Sequence, residues 1–131
     1  AFFHMPPAEF KEAYEKMKLG DHSVIYQHGS IGEKDEYFGI SNRPPHFFEK
    51  AVDNGWLKWI FCGHDHLNTL SLTYKGIRMT YGMSIDYLGY SGIAKQYIQR
   101  GATLITRKTN GNMDITMVPL TTVVSTRVRG A

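Results

Sequence analysis

Apolar residues recur along this chain at two different periods, and each change of period marks a change of element. Phe2-Phe3 is a short apolar run that soon meets Pro6-Pro7, which end strand pairing because proline has no N–H to donate. From Glu9 to Lys18 the apolar positions Phe10, Ala13, Tyr14 and Met17 fall three and four residues apart. That spacing predicts a short amphipathic helix with Gly20 as its stop. Val24-Ile25-Tyr26 reads as a brief strand. Between His28 and Pro45 the chain is rich in Gly, Ser, Asn and Pro, which predicts a long irregular loop of the kind that often carries function. Phe47 to Asn54 returns to helical spacing, with Phe48, Ala51 and Val52 on one face and Gly55 at the end.

Leu57 to Cys62 is almost continuously apolar, the pattern of a strand covered on both faces. Trp56 and Trp59 flank this run and read as core. Two alternating segments, Thr69 to Tyr74 and Ile77 to Tyr81, surround Lys75-Gly76 and predict a tight hairpin. After a Gly- and Tyr-rich loop from Gly82 to Gly92, Ala102 to Lys108 and Met113 to Leu120 predict a second hairpin around Asn110-Gly111. Val123 to Val128 reads as one more strand. Helices early and hairpins late predict an α/β fold in which one mixed sheet receives consecutive antiparallel strands. No repeat, linker or low-complexity tract interrupts the pattern, so residues 1–131 read as a single unit.

Composition narrows the possibilities. The chain has 131 residues, 42% of them hydrophobic, enough to bury a core. Its formal net charge of +3 comes from 15 basic and 12 acidic side chains that are scattered rather than gathered into a stripe, which argues against a dedicated nucleic-acid binder. A single cysteine, Cys62, excludes an internal disulfide and sits where a small buried hydrophobe is expected. No stretch approaches the roughly 20 apolar residues that a membrane-spanning helix needs. The chain opens Ala1-Phe2-Phe3-His4 without a Met and reads as a segment of something longer.

The chemistry concentrates at Gly63-His64-Asp65-His66, directly after the apolar strand. Two imidazoles two residues apart, leaving a rigid strand end through a glycine, can ligate a transition metal, and Asp65 between them can orient a ring through its second nitrogen. The alternative is a polar turn whose histidines cap backbone groups. His4 also stands where a strand runs out into a loop; in a common sheet it would come close to His64 as a third imidazole. Asn68 reads as the cap of the turn that follows. Glu33, in the long loop, is either a solvated acid or a group that positions substrate. Tyr81, Tyr87 and Tyr90 either pack the Gly-rich loop or line a substrate mouth. His22, His28 and His46 have no partner pattern.

Several segments in order resemble one family. Phe2-Phe3-His4-Met5-Pro6-Pro7 is similar to the strand-His-x-Pro segment of calcineurin-like metallophosphoesterases, and Gly63-His64-Asp65-His66-Leu67-Asn68 to their Gly-His-x-His block. His28-Gly29 through Glu33, Gly76-Ile77 through Tyr81-Gly82 and Arg100-Gly101-Ala102 extend the likeness, toward the purple-acid-phosphatase-like branch, over most of residues 1 to 107. The resemblance implies the C-terminal half of a four-layer α/β/β/α sandwich. It also implies phosphate-ester hydrolysis at two metal ions, Fe with Zn or Mn. His4 and His64 would ligate one ion and His66 the other, with Asp65 and Asn68 behind them. The family's Asp-x-His, Gly-Asp-x-x-Asp and Gly-Asn-His blocks are absent, and Met83-Ser84 stands where relatives have glycines. The bridging carboxylate and the leaving-group acid are therefore missing, and the chain alone is expected to bind metal weakly and hydrolyse little. Its expected partners are a phosphate ester and the other half of the domain, with self-association through the uncovered sheet face. Two alternatives stay open: a non-catalytic interaction or regulatory domain of the same fold, and a mononuclear metal-binding module.

Overall fold

The computed structural model describes residues 1–41, 46–96 and 98–120. Two compact units emerge, Ala1–Gly82 and a second from Met83 onward. The first unit holds strand β1 (Phe2–Phe3), helix α1 (Ala8–Lys18), β2 (Val24–His28), helix α2 (His46–Asn54), β3 (Trp59–Cys62), β4 (Ser71–Tyr74) and β5 (Ile77–Tyr81). The second contains β6 (Gly101–Arg107) and β7 (Met113–Pro119). The class is α/β with a mixed sheet, as the pattern predicts. The expected strand at Val123 to Val128 and the breakers Pro44-Pro45 lie outside the described residues.

The five-stranded sheet runs β1-β3-β5-β4-β2. β3 is parallel to both β1 and β5, whereas β4 is antiparallel to β5 and to β2. Lys75 and Gly76 both take positive φ, +49° and +77°, which is the turn that matches the twist of a two-residue hairpin. The second hairpin departs from expectation twice. It forms its own two-stranded sheet instead of joining the first. It also closes through a five-residue loop in which Gly111 takes positive φ while the Asn110 side chain accepts from Asn112 N–H. Gly101 is required in β6, because a Cβ there would lie 2.2 Å from the Val118 carbonyl.

Both helices cover one face of the large sheet. Phe10 and Ala13 of α1, with Phe48 and Ala51 of α2, pack on Ile60, Leu72, Ile77 and Met79, all buried. Each large side chain so buried contributes about 1.5–3 kcal/mol relative to exposure. α1 ends as the sequence suggests: Gly20, at φ +78°, donates to Met17 O while Asp21 donates to Lys16 O. Trp56 corrects the reading that both tryptophans are core, being 69% exposed in the connection between α2 and β3. No described helix is long and apolar enough to cross a membrane.

Candidate functional site

Parallel pairing builds the site. Phe2 pairs with Phe61 and Phe3 with Cys62, and one step further Gly63 N–H donates to His4 O at 3.1 Å. β1 and β3 therefore release His4 and His64 at the same carboxyl edge, the end of a parallel sheet where ligands gather. β5 ends beside them, with Gly82 N–H on Cys62 O.

His64 leaves its strand through a strained turn. Its φ is +70°, unusual for a residue with a Cβ, and Asp65 N–H returns to Gly63 O at 2.9 Å across it. That is a γ-turn with its central residue on the left-handed side, which costs on the order of 1–3 kcal/mol and persists only where its surroundings hold it. The turn aims the ring at β1: His64 Nδ1 lies 3.1 Å from His4 Nε2, with the two rings nearly perpendicular. Behind the ring, Gly39 packs so closely that a Cβ would stand 2.0 Å from His64 Cδ2 and 2.5 Å from Nε2.

Asp65 clamps the turn from beneath. Its carboxylate accepts from Gly39 N–H at 3.0 and 3.1 Å and from the Tyr81 hydroxyl at 2.5 Å, so these groups, not a histidine ring, receive its orienting bonds. Tyr81 is 1% exposed, and its ring stacks on Phe10. A tyrosine so placed cannot line a substrate mouth; it anchors the site from inside the core. Burial first, and then the Asp65 carboxylate, push its hydroxyl far above the ordinary tyrosine range. The same two causes push up the buried Cys62 thiol, whose Sγ meets Thr80 O. Cys62 is thus an inert small hydrophobe.

Asn68 does more than cap a turn. Fully buried, it accepts through Oδ1 from Gly32 and Glu33 N–H and donates through Nδ2 to Tyr37 O. Glu33 answers from the other side, its carboxylate accepting from Leu67 N–H. The long loop and the His turn are thereby tied together, and Glu33 contributes to that tie. Gly29 sets how closely the loop approaches, since a Cβ there would meet Thr69 O at 2.0 Å.

In the second unit, Tyr87 lies under the guanidinium of Arg100, 4.8 Å from its ring centre. Arg100 is fully buried and donates to the carbonyls of Asp86, Ile93 and Ile98, organising the Gly-rich loop. His22 and His46 are exposed, whereas His28 is half-buried with Nδ1 3.3 Å from Arg78 Nη2.

Of the three expected imidazoles, then, the structure joins His4 to His64. His66 sits half-buried two residues on in the same turn. Among the described residues no group of three or more His, Cys, Asp or Glu gathers as a metal site. The His4–His64 separation does fit two neighbouring ligands of one ion, because nitrogens at about 2.0–2.1 Å from a metal stand about 3.0–3.4 Å apart. These residues thus fit one edge of a coordination sphere and not a two-ion centre. Asp65 meeting Tyr81, and Gly39 meeting His64, had no sequence signal, since each pairs residues from segments distant along the chain.

No family model matches the chain, and no solved structure matches it significantly. Two curated proteins do. The chain resembles purple acid phosphatases over part of its length. An Arabidopsis thaliana protein named probable inactive purple acid phosphatase 29 is 28% identical over 90 residues, which is 69% of this chain and 20% of that protein. Another from the same plant, named probable inactive purple acid phosphatase 14, is 38% identical over 47 residues, 36% of this chain and 12% of that protein. The chain thus spans a fifth or less of the curated relatives it matches, and a phosphoesterase-like domain is the reading at that level.

Proposed function

We propose that this chain is one part of a metal-dependent phosphoesterase, the C-terminal half of a four-layer sandwich that brings histidine ligands to a dinuclear centre. The observation that carries the reading is the 3.1 Å approach of His4 Nε2 to His64 Nδ1 at the ends of two adjacent parallel strands. The likeness to purple acid phosphatases supports it.

His4 and His64 would hold one ion, and His66 would turn to a second. A bound divalent or trivalent cation there would polarise a phosphoryl oxygen and offset its charge. The residues around the pair position it. The γ-turn and Gly39 fix the His64 ring, Asp65 and Tyr81 fix the turn, and Asn68 holds the loop against it. Three imidazoles bring no charge to balance two cations, so carboxylates must come from elsewhere in a complete centre. Phosphomonoesters are the first choice of substrate and phosphodiesters the second.

A second reading has its own support. Both relatives are named inactive, and the described residues gather no three-ligand group. The chain would then be a phosphoesterase-like domain without catalysis. Inorganic phosphate separates the two. Followed by calorimetry, phosphate should bind only when Zn²⁺ or Mn²⁺ is present, and His64→Ala should abolish that binding. Equal phosphate binding with and without metal, or none in either case, would favour the non-catalytic domain.

A further inference from the structure

One loop of the second unit turns its apolar residues to solvent. Leu88 is 89% exposed and Ile85 67%, and Tyr87 and Tyr90 beside them are exposed as well. Large apolar side chains gathered within one short loop mark an interaction site more often than single exposed ones do.

The backbone beneath them is fixed. The Asp86 carboxylate accepts from Leu88 N–H at 2.8 Å and from Gly89 N–H at 2.7 Å, while Asp86 N–H donates to Ser84 Oγ at 3.0 Å. Arg100 Nε donates to Asp86 O, and its guanidinium lies against the Tyr87 ring. Ile93 N–H donates to Tyr90 O, where the loop passes into a single helical turn at Ile93–Lys95. Ile85 and Leu88 are therefore displayed by an ordered loop, and little conformational entropy opposes a partner.

Charge selects that partner. Residues 83–131 hold six Lys and Arg against two Asp, a net +4, whereas residues 1–82 hold nine basic against ten acidic side chains, a net −1. The exposed Lys95 stands where the loop ends. An apolar groove on a protein would accept Ile85 and Leu88 but makes no use of the surplus charge. An anionic lipid surface uses both, since apolar side chains enter the headgroup boundary, tyrosines suit that level, and Lys and Arg attract the headgroups.

We propose that the second unit docks on an anionic lipid surface, with Ile85 and Leu88 entering the headgroup layer and Tyr87 and Tyr90 at its boundary. Docking there involves neither His4 nor His64 and is independent of the phosphoesterase reading.

The test is co-sedimentation of the 131-residue chain with vesicles of phosphatidylcholine, alone or mixed with phosphatidylserine. Binding to the mixed vesicles should be at least about tenfold tighter and should weaken as salt rises. The double variant Ile85→Ser/Leu88→Ser alters no charge and changes two exposed positions, so its ¹H–¹⁵N spectrum should stay folded. It should lose about tenfold in affinity, because the apolar contribution is removed while the coulombic one is kept. In the unaltered chain, spin-labelled lipid should broaden the amides of residues 85–90 before any others. Equal affinity of the double variant, equal binding to both kinds of vesicle, or broadening centred elsewhere would each overturn the inference. No sedimentation with either vesicle would overturn it too and leave the loop to a protein partner.

Discussion

At Asn68 one buried side chain satisfies two amides and one carbonyl of the opposite loop. Asn68→Ala would leave all three without a partner in a water-poor environment, so a loss of about 2–4 kcal/mol in denaturant unfolding is expected. An effect below about 0.5 kcal/mol, the range of an ordinary surface substitution, would mean that water replaces the amide. Tyr81 and Cys62 set the alkaline limit of the unit. Both groups are held neutral, their folded pKa values raised above the unfolded ones by burial and by Asp65. A raised pKa gives stability that is fully present below the unfolded value and lost as pH rises. Stability should therefore hold to about pH 8.5 and decline above it, first through Cys62 and, past about pH 10, through Tyr81. Cys62→Ala should remove the first part of that decline. A stability curve flat from pH 8 to 11 would contradict the assignment.

At the scale of elements, the two helices, the Lys75-Gly76 hairpin and the apolar strand at 59–62 were legible because each announces itself in local spacing and turn chemistry. The stripe Phe10, Ala13, Tyr14 and Met17 is the face that packs on the core. What the spacing could not carry was pairing between distant segments. Nothing local says that β6 and β7 form a separate sheet, or that Trp56 stands in solvent one residue before Leu57 is buried. The His pair was half legible: both residues follow strand ends, but their meeting depends on β1 lying parallel to β3. The loop that backs His64 was visible only as a run of breakers. Its function as a support yields a prediction. Gly39→Ala would place a methyl group against the His64 ring and Asp65 Oδ1, at 2.0 to 2.7 Å. The ring must shift, so the variant should weaken Zn²⁺ binding at least tenfold while changing unfolding stability far less than Asn68→Ala. Unaltered Zn²⁺ affinity would mean that Gly39 does not position the ring.

For the molecule as a whole, the chain brings His4 and His64 together at one sheet edge and spans a fifth or less of the proteins it resembles. Phe2 and Ile25, on the two edge strands of the large sheet, have exposed side chains, which favours association with a further covering element. Hydrolysis of phenyl phosphate by the chain alone should stay near the buffer rate, because no described group bridges two ions or protonates a leaving oxygen. The most direct test of the central claim is a Zn²⁺ titration followed through the ring ¹⁵N signals of all six histidines. The account predicts no more than one weakly held ion per chain, with His4 Nε2 and His64 Nδ1 shifting together and both responses lost in His64→Ala. Two tightly held ions per chain, or a response that leaves His4 and His64 unmoved, would contradict it.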